Sequence, residues 1–399
     1  MEFIEEHPVS MRALLAGARN KEWALLDWTR RLVEVESPSD AKAAVDACIA
    51  LAADRASELG GRVKLHRERA YGNVMEARFR PKTGGKGSNG KIDRRVMVLG
   101  HLDTVWPLGT LKTMPCRARD GRMCGPGTLD MKAGVAMALT ALEMLKEAGW
   151  PGRTEIVLLL TGDEEVGSPV SRPITERLAR ECEAVYVVEP ALGLACKTAR
   201  KGTGNWRIDI QGVAAHAGVD FEKGASAIRE LARVVETVSG WTNLKRGLTV
   251  NVGMAGGGST TNVVPAEAWA EVDVRIARMS DGPGIERRFE RLKSPRPFKS
   301  FDPRCKLTVT GGINRPPMER SRGTVKLYNK AKALASELGF MLPEAATGGA
   351  SDGNFTAALG VPTLDGLGAV GDGAHATHEH IVVEHLAPRT ALLAALLAE

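Results

Sequence analysis

The stretch IVLLLTGDEE, residues 156–165, decides the fold. Five consecutive apolar residues, Ile156 to Leu160, read as a buried strand, and two adjacent carboxylates, Glu164 and Glu165, follow at its carboxyl end. The same design recurs twice. VMVL at 96–99 runs into Gly100, His101, Leu102 and Asp103, and the apolar run 184–188 runs into Glu189 and Pro190. Between them, residues 132–148 place Val135, Ala138, Leu139, Leu142 and Leu145 on one helical face, and Gly149 and Pro151 stop the helix. Strands alternating with helices predict an α/β sheet covered on both faces.

Upstream, residues 10–80 read as helix, helix, strand. Residues 40–59 are Ala-rich with helical spacing and end at Gly60 and Gly61; residues 73–80 alternate as a strand. The segment PKTGGKGSNGKIDRR, 81–95, reads as an exposed, mobile loop. After about residue 198 the pattern changes. Strands are predicted at 206–211, 248–254, 269–276 and 306–310, and helices at 225–238 and 285–292, which describes a small α+β insert. After Arg320 helix and strand return, and an Ala/Leu-rich helix closes the chain at 384–397. The expected organisation is a discontinuous catalytic domain, 1–198 and 315–399, interrupted by an inserted domain at 199–314. A length of 399 residues suits two cores better than one.

Composition narrows the function classes. No apolar run approaches the roughly 20 residues of a membrane span, so no membrane partner is expected. The first residues show no basic segment followed by an apolar one, and the six cysteines are scattered without a CxxC pair. Together these predict a cytoplasmic protein with reduced thiols. The net charge of +6 mildly favours anionic ligands. With only 5% aromatic residues and no basic helix, nucleic acid is not expected as a partner.

The chemistry concentrates at strand ends and glycine-rich turns. His101 and Asp103 are two apart in an extended segment and can face one cleft, with the carboxylate placed to fix the imidazole tautomer. Asp130 ends the turn GPGTLD, 125–130, just before a helix; it is either an N-cap or a carboxylate that bridges two cations. Glu164 and Glu165 crowd two negative charges together, which a solvated loop or a bound cation would explain. In the second case Glu165 holds the metal and Glu164 moves the proton of the attacking water. Glu189 is a third acidic group at a strand's carboxyl end, where open α/β sheets bind ligands. His375, His378 and His380 lie within six residues, and one of them completes the N/O donor set expected of zinc.

The segments VMVLGHLDTVWPLGTL, GPGTLDMKAGVAMALTAL, LLLTGDEEVGS, VVEP, GVAAHAG, NVVPAEAWAEVDVR and GGASDGNFTAALGVPTLDGLGAVGDGAH occur in that order from about residue 96 onward. In them the sequence resembles the M20 metallopeptidases, most closely the glutamate carboxypeptidase (carboxypeptidase G2-like) branch; the first 70 residues match only in general pattern. The resemblance implies a mixed, mostly parallel sheet flanked by helices, with the insert as a lid and dimerisation domain. It implies two Zn2+ per chain, with Co2+ or Mn2+ also compatible. His101 and Glu189 would hold one metal, Glu165 and His375 the other, and Asp130 would bridge them. Glu164 would be the general base and Asp103 the carboxylate behind His101. His375 is favoured over His378 because Ala374-His375 followed by Glu379 fits the family pattern, although the intervening Ala-Thr-His-Glu-His departs from the commoner Ser-Pro-Asp-Glu-Tyr. The Asp130–Met131 peptide would be cis.

By the same resemblance His216 would enter the partner's site of a homodimer and bond the developing oxyanion; the alternative is a surface-loop histidine. Asn262 and Arg275 would grip a substrate carboxylate, the alternative for Arg275 being an ion pair with Asp273. GGGSTT, 256–261, reads as a flexible turn of the lid. The implied activity is hydrolysis of an amide next to a free carboxylate in a small N-acylated amino acid or peptide, releasing a C-terminal residue such as glutamate. An N-acyl-amino-acid deacylase of the acetylornithine deacetylase or aminoacylase type and a dipeptidase share this chemistry. A non-catalytic metal-binding regulatory protein is the rival of another class.

Overall fold

The computed structural model describes residues 9–81, 92, 94–150, 153–294 and 301–398. Two compact units emerge: Met1–Ala199 with Arg320–Ala346 and Ser351–Glu399, and Arg200–Glu319 with Thr347–Ala350.

The first unit is built on a six-stranded sheet in the order Arg62–His66, Val74–Phe79, Thr154–Thr161, Arg94–His101, Ala184–Val187, Thr363–Leu364. The last four are mutually parallel, and the first two form an antiparallel edge. This is the mixed, mostly parallel sheet that the family resemblance implies. The central strands are apolar over 96–99, 156–160 and 184–187 because both faces are covered there. Val96, Val98, Ile156, Leu158, Leu160, Tyr186 and Val188 pack towards the helices Lys42–Glu58, Ala133–Glu147, Arg322–Glu337 and Leu386–Ala398. The alternate residues Met97, Leu99, Val157, Leu159, Val185 and Val187 pack on the other face with Leu178 and Ala179 of the helix Arg172–Ala179.

Register positions the site. His101 pairs with Thr161, and Leu99 pairs with Val187. The strands ending at His101 and Thr161 therefore finish level, the strand ending at Val187 stops two residues earlier, and the segments 101–103, 161–165 and 188–190 leave the same edge of the sheet. The helix Ala133–Glu147 is drawn tightly onto that edge: a Cβ on Gly134 would lie 1.9 Å from the Val188 carbonyl oxygen. Only glycine permits this approach.

The second unit is a four-stranded antiparallel sheet in the order Thr249–Gly257, Glu267–Ile276, Gly202–Gln211, Lys306–Arg315. Trp206, Ile208, Ile210, Ala270, Val272 and Val274 face the helices Ala227–Ser239 and Gly282–Leu292, with Trp206 stacked on Phe289. The opposite face is polar and ion-paired, as Arg207–Glu271 at 2.9 Å shows. Its strands alternate, unlike those of the first unit, because one face is left open to solvent.

Several local expectations need correction. The region 10–80 holds three helices, since residues 11–34 break at Lys21, whose amide bonds to Gly17 and Ala18 and closes Met11–Asn20 before Glu22–Glu34 begins. It also holds a second strand, Arg62–His66. That strand lies at the sheet edge and is mostly exposed, so it carries no apolar alternation. Arg94 and Arg95 belong to the central strand rather than to the loop 81–95, of which 82–91 and 93 lie outside the described residues. The glycines at 256 and 257 extend the strand Thr249–Gly257, so the turn is shorter than GGGSTT. The last helix starts at Leu386, after a tight turn at 383–385.

Gly134→Ala should lower stability by about 1–3 kcal/mol by forcing the helix off Val188. Urea unfolding measures this, and an unchanged midpoint would show that the close approach is not needed.

Candidate metal and catalytic site

Between the small strand Arg122–Cys124 and the helix Ala133–Glu147 the chain makes a tight turn, with Gly125 at φ +152° and Gly127 at φ +70°. Asp130 leaves this turn with non-helical torsions, and its peptide to Met131 is cis. The helix begins at Ala133 with no side-chain cap, so Asp130 does not serve as an N-cap. Its two carboxylate oxygens point to two histidines. Oδ1 lies 3.3 Å from His101 Nε2, and Oδ2 lies 3.4 Å from His375 Nε2. Glu189 Oε1 is 3.6 Å from the same His101 nitrogen, and Glu165 Oε1 is 3.3 Å from the same His375 nitrogen. All five candidate ligands are thus brought together in the first unit, in two half-sites that share Asp130. His378 has no part in this cluster; its neighbour His380 turns its Nδ1 to the His378 backbone carbonyl at 2.9 Å.

The spacing fits a metal centre. Zinc bonds of about 2.0–2.1 Å in a tetrahedron set neighbouring donor atoms about 3.3–3.5 Å apart, and the imidazole–carboxylate separations here span 3.3–3.6 Å. Donor atoms of His101, Asp130 and Glu165 also lie within 4.8 Å of one another. His, Asp and Glu together suit zinc and several other divalent ions.

His101 is buried, and its Nδ1 lies 3.0 Å from the Asp103 backbone carbonyl, to which it donates. The Asp103 carboxylate is farther, with Oδ1 at 3.5 Å. That carboxylate accepts instead from Ser39 Oγ at 2.7 Å and from the backbone amides of Glu164 and Glu165 at 3.1 Å each. Asp103 therefore fixes the His101 tautomer mainly through its carbonyl and clasps the Glu164–Glu165 turn with its side chain. Glu164 is buried at the head of that turn. Asp163 holds the far side, accepting from the amides of Val170 at 2.8 Å and Ser171 at 3.1 Å.

The electrostatics follow from this crowding. Burial alone would push the His101 imidazolium down, but Asp103 and Asp130 outweigh it and hold its pKa well above the ordinary value. Asp130 and Glu165 hold His375 up at about 10. Burial would raise Asp130, but His101 and His375 more than reverse this and hold it below the usual carboxylate range. Without metal, the imidazoles carry the positive charge that the carboxylates require.

The remaining predicted residues lie in the second unit. His216 is exposed, and its Nδ1 accepts from the amides of Gly218 at 3.1 Å and Val219 at 3.2 Å. Those bonds place the proton of the neutral ring on Nε2. The Asn262 carbonyl oxygen accepts from the Ala217 amide at 2.9 Å, tying the two loops together, and the Asn262 side-chain oxygen accepts from Thr260 Oγ1 at 3.1 Å. Arg275 holds Asp273 in a forked pair, with Nη2 to Oδ2 at 2.8 Å and Nε to Oδ1 at 2.9 Å. The ion pair weighed as an alternative for Arg275 is therefore present.

Sequence reasoning missed three contributors. Ser39 supports Asp103 across 64 residues of chain. Lys132 is buried, with its ammonium on the carbonyls of Leu32 and Val35 at 2.9 Å each. Glu379, used above only to place His375, is fully buried beside the Asp130 turn. Long-range partners such as these leave no spacing signal; only the acidic residue inside a histidine cluster hints at one of them.

A family profile described as peptidase family M20/M25/M40 matches residues 97–399. The chain is 29% identical over 387 residues to carboxypeptidase G2 of Pseudomonas sp. (strain RS-16), covering 96% of this chain and 91% of that one. It is 29% identical over 311 residues to succinyl-diaminopimelate desuccinylase of Verminephrobacter eiseniae (strain EF01-2), covering 73% and 74%. Among solved structures, the aminopeptidase PepT of Bacillus cereus ATCC 10987 superposes with a TM-score of 0.78 at 23% identity, covering 94% of this chain and 98% of that one, which supports the fold.

Metal uptake should release protons, because a cation must displace those held on His101 and His375. Affinity should therefore rise with pH from mildly acid to mildly alkaline conditions. Conversely, the raised imidazole pKa values stabilise the metal-free fold fully below the unfolded value of about 6.5. For His375 that contribution is lost as pH climbs through about 10. Calorimetric titration in buffers of different ionisation enthalpy reads the proton count, and buffer-independent heats would contradict it.

Proposed function

The chain belongs to peptidase family M20/M25/M40, and from that premise we propose a di-zinc hydrolase that cleaves an amide bond next to a free carboxylate and releases a C-terminal amino acid such as glutamate. The family is one of metal-dependent hydrolases, and its relatives include a carboxypeptidase and a desuccinylase. The observation that carries the di-metal reading is Asp130, whose two oxygens face two separate histidine–glutamate pairs.

In this reading His101 and Glu189 would hold one ion, Glu165 and His375 the other, and Asp130 would serve both. Zinc bound there would lower the pKa of water towards neutrality and polarise the scissile carbonyl. Glu164, held by the Asp103 clasp on its amide, takes the proton of the attacking water and passes it to the leaving nitrogen. His216 donates from Nε2 to the oxyanion that develops on the carbonyl, the proton being on that nitrogen because Nδ1 accepts two amides. Asn262 and Arg275 grip the substrate carboxylate. Arg275 already holds a carboxylate in forked geometry, that of Asp273, and a substrate would take over part of that fork. The insert 199–314 acts as lid and dimerisation domain, and each His216 serves the site of the other protomer in a homodimer. Among the described residues no helix is long and apolar enough to cross a membrane.

Exposed apolar side chains follow each ligand-bearing strand end: Val105 and Leu108 after Asp103, Val166 after Glu165, and Leu192 and Leu194 after Glu189. They favour substrates with apolar surface beside the scissile bond. The second reading, an N-acyl-amino-acid deacylase, rests on the desuccinylase relative. Side-by-side rates on N-acyl-glutamates, N-succinyl- and N-acetyl-amino acids and dipeptides, with zinc restored, separate the two.

Glu164→Ala should abolish turnover, by about 10²–10⁴-fold or more, while metal content and fold survive. Substantial residual activity would remove Glu164 from the role of base. His216→Ala should lower kcat by about 10²–10³-fold with KM little altered, whereas Arg275→Ala should mainly raise KM. Steady-state kinetics on the preferred substrate check both, and the reverse split would refute the assignments.

A further inference from the structure

Glu379 is fully buried four residues after His375, and its carboxylate collects four N–H donors. Oε1 accepts from the amides of Leu129 at 2.8 Å and Asp130 at 3.1 Å. Oε2 accepts from the amide of Gly127 at 2.9 Å and from Trp106 Nε1 at 2.8 Å. Its own backbone is tied to the same place. The Glu379 amide donates to the Ala376 carbonyl at 2.9 Å, closing the turn that follows His375, and the Glu379 carbonyl accepts from the Gly125 amide at 3.4 Å. Next to it, His380, Ile381 and Val382 pair with Cys124, Met123 and Arg122. One side chain thus joins the turn that aims Asp130, the loop that presents His375 and, through Trp106, the segment that follows Asp103.

We propose that Glu379 is a positioning residue: by clasping the Gly127–Asp130 turn against the His375 loop it holds the Asp130 carboxylate midway between His101 and His375, and so sets the affinity of the metal pair. The proposal rests on the metal-site reading above. A buried carboxylate with four donors and no acceptor suits this task, because each backbone amide loses its water on folding and finds a charged partner in return. Groups behind the ligands of a metal typically contribute about tenfold to a hundredfold in affinity.

The test is metal titration of the full chain, by competition with a chelator for zinc and by the visible spectrum for cobalt(II). Glu379→Gln keeps the size but turns an NH2 towards two of the four donors. It should fold like the unaltered protein by circular dichroism, bind metal about tenfold to a hundredfold more weakly, and show an altered cobalt spectrum. Glu379→Asp withdraws the oxygens by one methylene and should weaken binding too. Trp106→Phe removes only the indole donor, leaves the three amides clasped, and should weaken binding less than Glu379→Gln; a larger loss than in Glu379→Gln would overturn the proposal. Unchanged affinity and spectrum in Glu379→Gln would overturn the proposal while the metal-site reading stands. Failure of both Glu379 variants to fold would also overturn it, since the role would then be in folding. An unaltered protein that takes up no metal would overturn the metal-site reading itself, and this proposal with it.

Discussion

Like charges forced together need a counter-charge, and the first unit concentrates Asp103, Asp130, Glu164, Glu165 and Glu189 around the carboxyl ends of three parallel strands. Without cations, His101 and His375 supply the compensation, each held above its ordinary pKa by the carboxylates it faces. Such an arrangement is costly to fold around and is maintained by sheet register, by the close approach at Gly134, and by buried side chains that grip backbone amides. A divalent ion relieves the repulsion more completely than a proton can, because one ion serves several carboxylates at once.

Two buried carboxylates organise the site from behind. Asp103 grips the amides of Glu164 and Glu165, and Glu379 grips those of Gly127, Leu129 and Asp130. Each therefore locks a turn whose side chains point forward into the cluster. Loops are the least rigid part of an α/β fold, and clasps of this kind give them the precision of strands. The same logic applies to His216, where two amides on Nδ1 decide which nitrogen can donate.

Much of this was legible in the linear sequence. The unbroken apolar runs announced a sheet covered on both faces, and the alternation of residues 206–211 and 269–276 announced the open-faced sheet of the insert. The position of His101, Glu165 and Glu189 just beyond such runs places them at a common edge. The strand Arg62–His66 was hidden because an exposed edge strand needs no apolar face. The roles of Ser39, Lys132 and Glu379 are hidden because hydrogen bonds across 64 to 273 residues leave no local pattern. Asp103 is only half legible: the sequence puts a carboxylate near His101, whereas its oxygens face the Glu164–Glu165 turn and its carbonyl meets the imidazole.

The central claim is that Asp130 lies between two cations. Anomalous diffraction at the zinc absorption edge, from crystals of the metal-loaded protein, tests it most directly. The account predicts two peaks flanking the Asp130 carboxylate, one beside His101 and Glu189 and one beside Glu165 and His375. A single peak, or peaks remote from Asp130, would contradict it.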